Sequence, residues 1–140
     1  ETLSKFIIIA SFIPVIVYIS GALTAQTVIV FVRDLALISK GYSFRKYFFK
    51  QLGITFFISS LLSIILFSFI YLIWSNARIA LVIALATGIS LILTAIVSIL
   101  LTILIKRFKF DPALGSGPLS TVISDILSIV IYFLVVMLLL

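Results

Sequence analysis

Cysteine and histidine are both absent from this chain of 140 residues. Their absence excludes disulfides, thiolate nucleophiles, and the soft or imidazole ligands that zinc, copper and haem iron favour. Any metal handled here is held by oxygen, a donor set that suits Mg²⁺, Ca²⁺ or Mn²⁺. Acid is scarce too, since Glu1, Asp34, Asp111 and Asp125 are the only carboxylate side chains. Asp125 alone lies deep in a hydrophobic segment, so no intramembrane pair exists for acid–base work, and the chain is not expected to be an enzyme. Also missing are the alternating segments of about ten residues that build a transmembrane barrel. No basic stretch leads into a short apolar core, so no signal peptide is expected. Starting at Glu1 rather than Met, the chain reads as a piece of a longer protein.

What is present is overwhelmingly apolar. Hydrophobic residues make up 64% of the chain, and the mean hydropathy is +1.49. The expected class is all-α, a polytopic transmembrane helix bundle forming a single domain. Spans are predicted over about 6–32, 52–74, 79–105 and 118–140. Pro14 should bend the first of them. Gly41 is a plausible helix stop and Ser43 a plausible cap. Tyr71 and Trp74 suit the membrane–water interface. Thr55, Ser59 and Ser63 recur every four residues, as do Ser90, Thr94, Ser98 and Thr102. Small-residue stripes of this kind pack helix against helix.

Charge sets the orientation. Arg33, Lys40, Arg45, Lys46, Lys50, Lys106, Arg107 and Lys109 fall on one side, and only Lys5 and Arg78 on the other. The side richer in bases is expected to be cytoplasmic, which places the connections 33–51 and 106–117 there. The net charge of +6 then reflects topology and contact with anionic lipid, not nucleic acid.

The chemistry concentrates around Asp125. A carboxylate at the centre of a membrane helix costs roughly 2.5–3.5 kcal/mol on insertion scales, so it calls for a reason. Asp111 to Pro118 holds two prolines and two glycines in eight residues, an irregular turn. Pro118 suits the first turn of the last span. Asp125 lies seven residues further on, about 10 Å along the helix. Thr121 at i−4 and Ser128 at i+3 share its side, with Ser124 adjacent. Either these groups meet a cation inside a pore, or Asp125 pairs within the bundle and fixes packing. In the first span, Ser20, Gly21 and Thr24 carry the same two readings, close packing or a pore-facing strip. A two-fold axis beside Asp125 would bring two carboxylates around one hydrated ion.

At these residues the chain resembles the membrane domain of the MgtE family of Mg²⁺ channels and transporters. The run Asp111-Pro112-Ala113-Leu114-Gly115-Ser116-Gly117-Pro118-Leu119-Ser120-Thr121, followed by Asp125, is similar to that family's DPA-x-x-SGP-x-x-T-x-x-x-D pattern. Phe12-Ile13-Pro14-Val15-Ile16, leading to Gly21 and Gln26, is a second and more degenerate match. Ala22 stands where the family often has Asn. The resemblance implies a membrane domain lacking its first span, in a homodimer with a pore on the two-fold axis, lined by the first and last spans here. It implies Mg²⁺ as the transported ion, with Asp125 and Thr121 at the metal and Ser20, Gly21, Thr24, Gly117, Ser124 and Ser128 along the pore. It also implies an upstream cytoplasmic regulatory domain outside this chain. Three functions follow as expectations. The first is a divalent-cation channel, the second a proton- or sodium-coupled transporter, and the third a membrane assembly module that moves nothing.

Overall fold

The computed structural model describes residues 2–38, 41, 43–108 and 118–140. Five helices follow in order: α1 Thr2–Ser11, α2 Ile13–Ile38, α3 Phe44–Trp74, α4 Ala77–Arg107 and α5 Pro118–Leu139. No strand occurs among the described residues. Four stretches are long and apolar enough to cross a membrane: Phe6–Asp34, Phe44–Trp74, Ala77–Ile105 and Ser120–Leu139. The chain is an all-α bundle of membrane-spanning length.

The first span is interrupted where Pro14 demands it. Proline has no N–H to give the carbonyl four residues back, so the helix breaks one turn ahead of it. The Phe12 amide reaches only the Ile9 carbonyl, at 3.3 Å, and regular helix resumes with Ile16 N–H to Phe12 O at 3.0 Å. The buried Tyr132 hydroxyl donates to the same Ile9 carbonyl at 3.0 Å, tying α5 to the break. Tyr132→Phe keeps the ring but deletes that bond, so it should lower unfolding stability by about 1 kcal/mol. A thermal melt of the detergent-solubilised protein measures this.

The ends of the second and third spans reach further than hydropathy suggested. Predicted to start near residue 52, α3 starts at Phe44, so most of the expected 33–51 connection is helical. Its basic and aromatic residues contain no breaker after Gly41, which sits in a turn at φ +103°. Ser43 is the residue before the helix but makes no side-chain cap bond. At the far end, Ser75 closes α3 in the left-handed conformation, its amide bonded to the Tyr71 carbonyl at 2.8 Å. Asn76 Oδ1 then accepts from the Ile79 amide at 3.1 Å and opens α4. Of the expected turn from Asp111 to Pro118, residues 111–117 lie outside the described residues, and Pro118 opens α5 as expected.

Helix α4 is the hub, packing against α2, α3 and α5, while α2 also packs along α5. Two apolar clusters mark the ends of the bundle. One gathers Ile9, Phe12, Ile16, Ile70, Ile83, Tyr132 and Val136, with Trp74 edge-on to Phe12 at 6.1 Å. The other gathers Phe31, Tyr47 and Ile99. Between them runs a band of buried hydroxyls: Ser20, Thr24 and Thr27 on α2; Ser90, Thr94 and Ser98 on α4; Ser120, Ser124 and Ser128 on α5. Small side chains let the helices approach. The Ser20, Thr94 and Ser120 hydroxyls have no partner among the described residues, but a hydroxyl can satisfy itself locally. Thr87, Ser98 and Thr102 do so by donating to carbonyls four residues back, at 2.8–2.9 Å. The large apolar side chains of α3, such as Phe56, Phe57, Leu61 and Ile64, point outward as a lipid-facing surface demands.

Candidate ion site

Two faces of α5 carry different chemistry. Ser120, Ser124, Ser128, Tyr132 and Val136 recur every four residues and are buried. Offset by one residue, Thr121 and Asp125 form the second face and open onto a groove beside α2. The serines hold the helix in place. Ser124 donates to the Thr121 carbonyl at 2.9 Å, and Ser128 to the Asp125 carbonyl at 2.9 Å. Ser90 of α4 donates to the Ser128 carbonyl, also at 2.9 Å. The Ser90 bond from α4 and the Tyr132 bond to the Ile9 carbonyl fix the rotation of α5 about its axis. They turn the Asp125 side chain away from the bundle interior.

Helix α2 is split in the same way. Its buried face carries Ser20, Leu23, Thr24, Thr27, Val28 and Phe31. The Thr24 hydroxyl lies 3.3 Å from that of Ser98. Because Ser98 gives its proton to the Thr94 carbonyl at 2.8 Å, Thr24 is the donor between the two hydroxyls. Its other face carries Pro14, Val17, Tyr18, Gly21, Ala22 and Ala25, spaced three and four residues apart, and lines the groove.

The groove has a volume of about 680 Å³ and is open along one side. Ile13 completes its lining. Gly21 sits directly against the carboxylate: a Cβ built there would lie 3.4 Å from Asp125 Oδ1. Glycine therefore lets α2 approach the acid without covering it. Among the described residues no base pairs with Asp125, since the one ion pair described joins Arg33 to Asp34 at 2.9 Å. Nor do those residues hold a cluster of three or more acids, histidines or cysteines. The arrangement is a single partly buried carboxylate, the hydroxyls of Thr121 and Tyr18, and an otherwise apolar wall that includes the small residues Gly21, Ala22 and Ala25.

Of the expected site residues, Asp125, Thr121 and Gly21 come together at this groove. Ser20, Thr24, Ser124 and Ser128 turn into the bundle instead. Gly117 lies outside the described residues. Sequence reasoning passed over Ala22, Ala25, Pro14, Val17 and Tyr18 as groove residues. The signal was their helical spacing, which is displaced by one residue, about 100° of rotation, from the hydroxyl stripe.

Residues 13–135 match the sequence model of the MgtE family, described as a divalent cation transporter. The chain belongs to the MgtE family. It is 28% identical over 135 residues to the magnesium transporter MgtE of Bacillus subtilis (strain 168), covering 95% of this chain and 30% of that protein. It is 30% identical over 137 residues to the magnesium transporter MgtE of Thermus thermophilus, covering 94% of this chain and 29% of that protein. The chain thus spans under a third of the length of these MgtE relatives. MgtE proteins are transporters, not enzymes, and the membrane-spanning helices described here agree with that class.

Proposed function

We propose that this chain forms the ion-conducting part of a Mg²⁺ channel, assembled as a homodimer with the α2–α5 groove of each copy facing the two-fold axis. The observation that carries the proposal is the placement of Asp125. Ionisable groups within membranes face a protein interior or a water-filled cavity, because lipid cannot solvate them. Here the acid faces outward, into a groove open on one side. A second copy covers that opening and converts two grooves into one passage.

The groove chemistry suits a hydrated ion. Mg²⁺ gives up its water reluctantly, so a wide site with few direct ligands fits it better than a tight cage. Two carboxylates and two threonine hydroxyls would then contact the ion's water shell, while Gly21, Ala22 and Ala25 keep the passage wide. The names of both curated relatives, magnesium transporters, support Mg²⁺ as the cargo. The basic end of the bundle, with Arg33, Arg45, Lys46, Lys50 and Arg107, is the cytoplasmic end on this reading.

The absence of native cysteine makes the assembly easy to test. Ala22→Cys, placed in the groove, should be joined to its partner copy by a bifunctional thiol reagent in native membranes. Phe57→Cys, on the lipid-facing side of α3, should not. The reverse pattern would refute the arrangement, and Mg²⁺ flux in proteoliposomes tests the conduction itself.

A further inference from the structure

The first two turns of α3 carry Arg45, Lys46 and Lys50 and no acid. Helix α3 has 31 residues, about 46 Å at 1.5 Å each, against a hydrocarbon core about 30 Å thick. Roughly ten residues therefore project into the headgroup layer. The apolar far end of α3, Phe67 to Trp74, suits the membrane, so the projecting part is the Phe44–Lys50 end.

Within that end, side chains divide by direction. Tyr47 and Gln51 are buried: Tyr47 lies against Phe31 with ring centroids 5.3 Å apart, and Gln51 reaches the Thr27 hydroxyl at 3.4 Å. Phe44, Arg45, Lys46, Phe49 and Lys50 are exposed. Arg45 and Phe49 stand one turn apart, with the guanidinium 5.9 Å from the ring centroid. Lys46 and Lys50 form a second ridge at i,i+4 beside them.

Three electrostatic features of this ridge disfavour the helix as it stands. Like charges at i,i+4 repel. Arg45 and Lys46 sit in the first turn, where the helix dipole favours acids, and no acid is present there. The Ser43 side chain leaves the leading amides uncapped. A single anionic group relieves all three at once. We infer that the Lys46–Lys50 and Arg45–Phe49 ridges at the start of α3 bind the headgroup of an anionic phospholipid. The lysines and Arg45 take the phosphate, and Phe49 turns toward the upper acyl carbons. Lipid is favoured over a soluble acidic partner because the charges are interleaved with exposed phenylalanines at the depth where headgroups lie. The inference does not depend on the ion-site assignment, and its readout is independent of flux.

The test uses the full-length protein, delipidated in detergent and titrated with phosphatidylglycerol or phosphatidylcholine, with bound lipid counted by native mass spectrometry. Phosphatidylglycerol should be retained in preference. Lys46→Gln with Lys50→Gln should reduce that preference about twenty- to thirtyfold, at roughly fivefold for each base near an anionic surface. Lys46→Arg with Lys50→Arg should preserve it. Should the double glutamine variant fail to fold, Lys46→Gln alone carries the test with roughly a fivefold loss. Equal retention of the two lipids, or an unchanged preference after the glutamine substitutions, overturns the assignment. So does displacement of phosphatidylglycerol by a soluble poly-glutamate peptide at equal concentration, which would give the surface to an acidic polypeptide.

Discussion

Proteoliposomes carrying Asp125→Asn are expected to take up Mg²⁺ at least about thirtyfold more slowly than the parent protein, with the proposed dimer intact. Two unit charges about 4 Å apart attract by about 1 kcal/mol even in bulk water, and a divalent ion doubles this. About 2 kcal/mol corresponds to roughly thirtyfold in occupancy, which sets the floor. The partly buried carboxylate is screened less than that, and a dimer would lose two of them. Asparagine has the same shape as aspartate, so the packing of the side chain beside Gly21 and the Ser90 bond that orients α5 persist. Folding and function therefore separate in this variant. A flux assay with a Mg²⁺-sensitive dye, alongside size-exclusion of the reconstituted protein, reads both. Parental flux from a properly inserted variant would remove Asp125 from the ion path.

The bundle was legible because hydropathy alone defines a membrane span. The ends themselves were not. Residues 44–51 are charged and aromatic, so they fall outside any apolar window, yet nothing in them stops a helix. Hydropathy measures what enters lipid and hydrogen bonding decides what is helical, so α3 begins eight residues before its predicted span.

The site was legible to the same partial degree. Asp125 stood out because an unpaired acid in a span is costly, and Thr121 followed from its i−4 spacing. The companion residues were chosen for polarity, and four of them, Ser20, Thr24, Ser124 and Ser128, are buried in the bundle away from the groove. A serine or threonine can return its proton to its own helix, as Ser124 and Ser128 do, and is then suited to burial between close helices. The groove is walled by Gly21, Ala22 and Ala25, whose property is small size. Such residues leave no chemical trace in a sequence. Their spacing does, once the face that contains Asp125's neighbour is known.

Gly88→Ala is expected to destabilise the bundle by about 1–3 kcal/mol, although alanine is the better helix former. The reason is local. A Cβ at position 88 would lie 2.5 Å from Ser63 Oγ, a clash, while Ser63 Cβ would stand at 3.7 Å and the Ser59 carbonyl at 3.9 Å, ordinary contacts. Ser63 cannot simply rotate without cost, because its hydroxyl donates to the Ala84 carbonyl at 2.9 Å. Helix α3 packs mainly against α4, so strain at this crossing has few other contacts across which to spread. Ser63→Ala alone should cost about 1 kcal/mol, the value of the lost bond. In the double variant the clashing oxygen is gone, so Gly88→Ala should then cost little, and alanine's helix propensity offsets part of the loss from Ser63. Denaturation midpoints of the four proteins should yield a favourable coupling of about 1–3 kcal/mol between the substitutions. Strictly additive costs would mean that α3 and α4 yield at this crossing. In that case the Ser63–Gly88 contact does not set the position of α3.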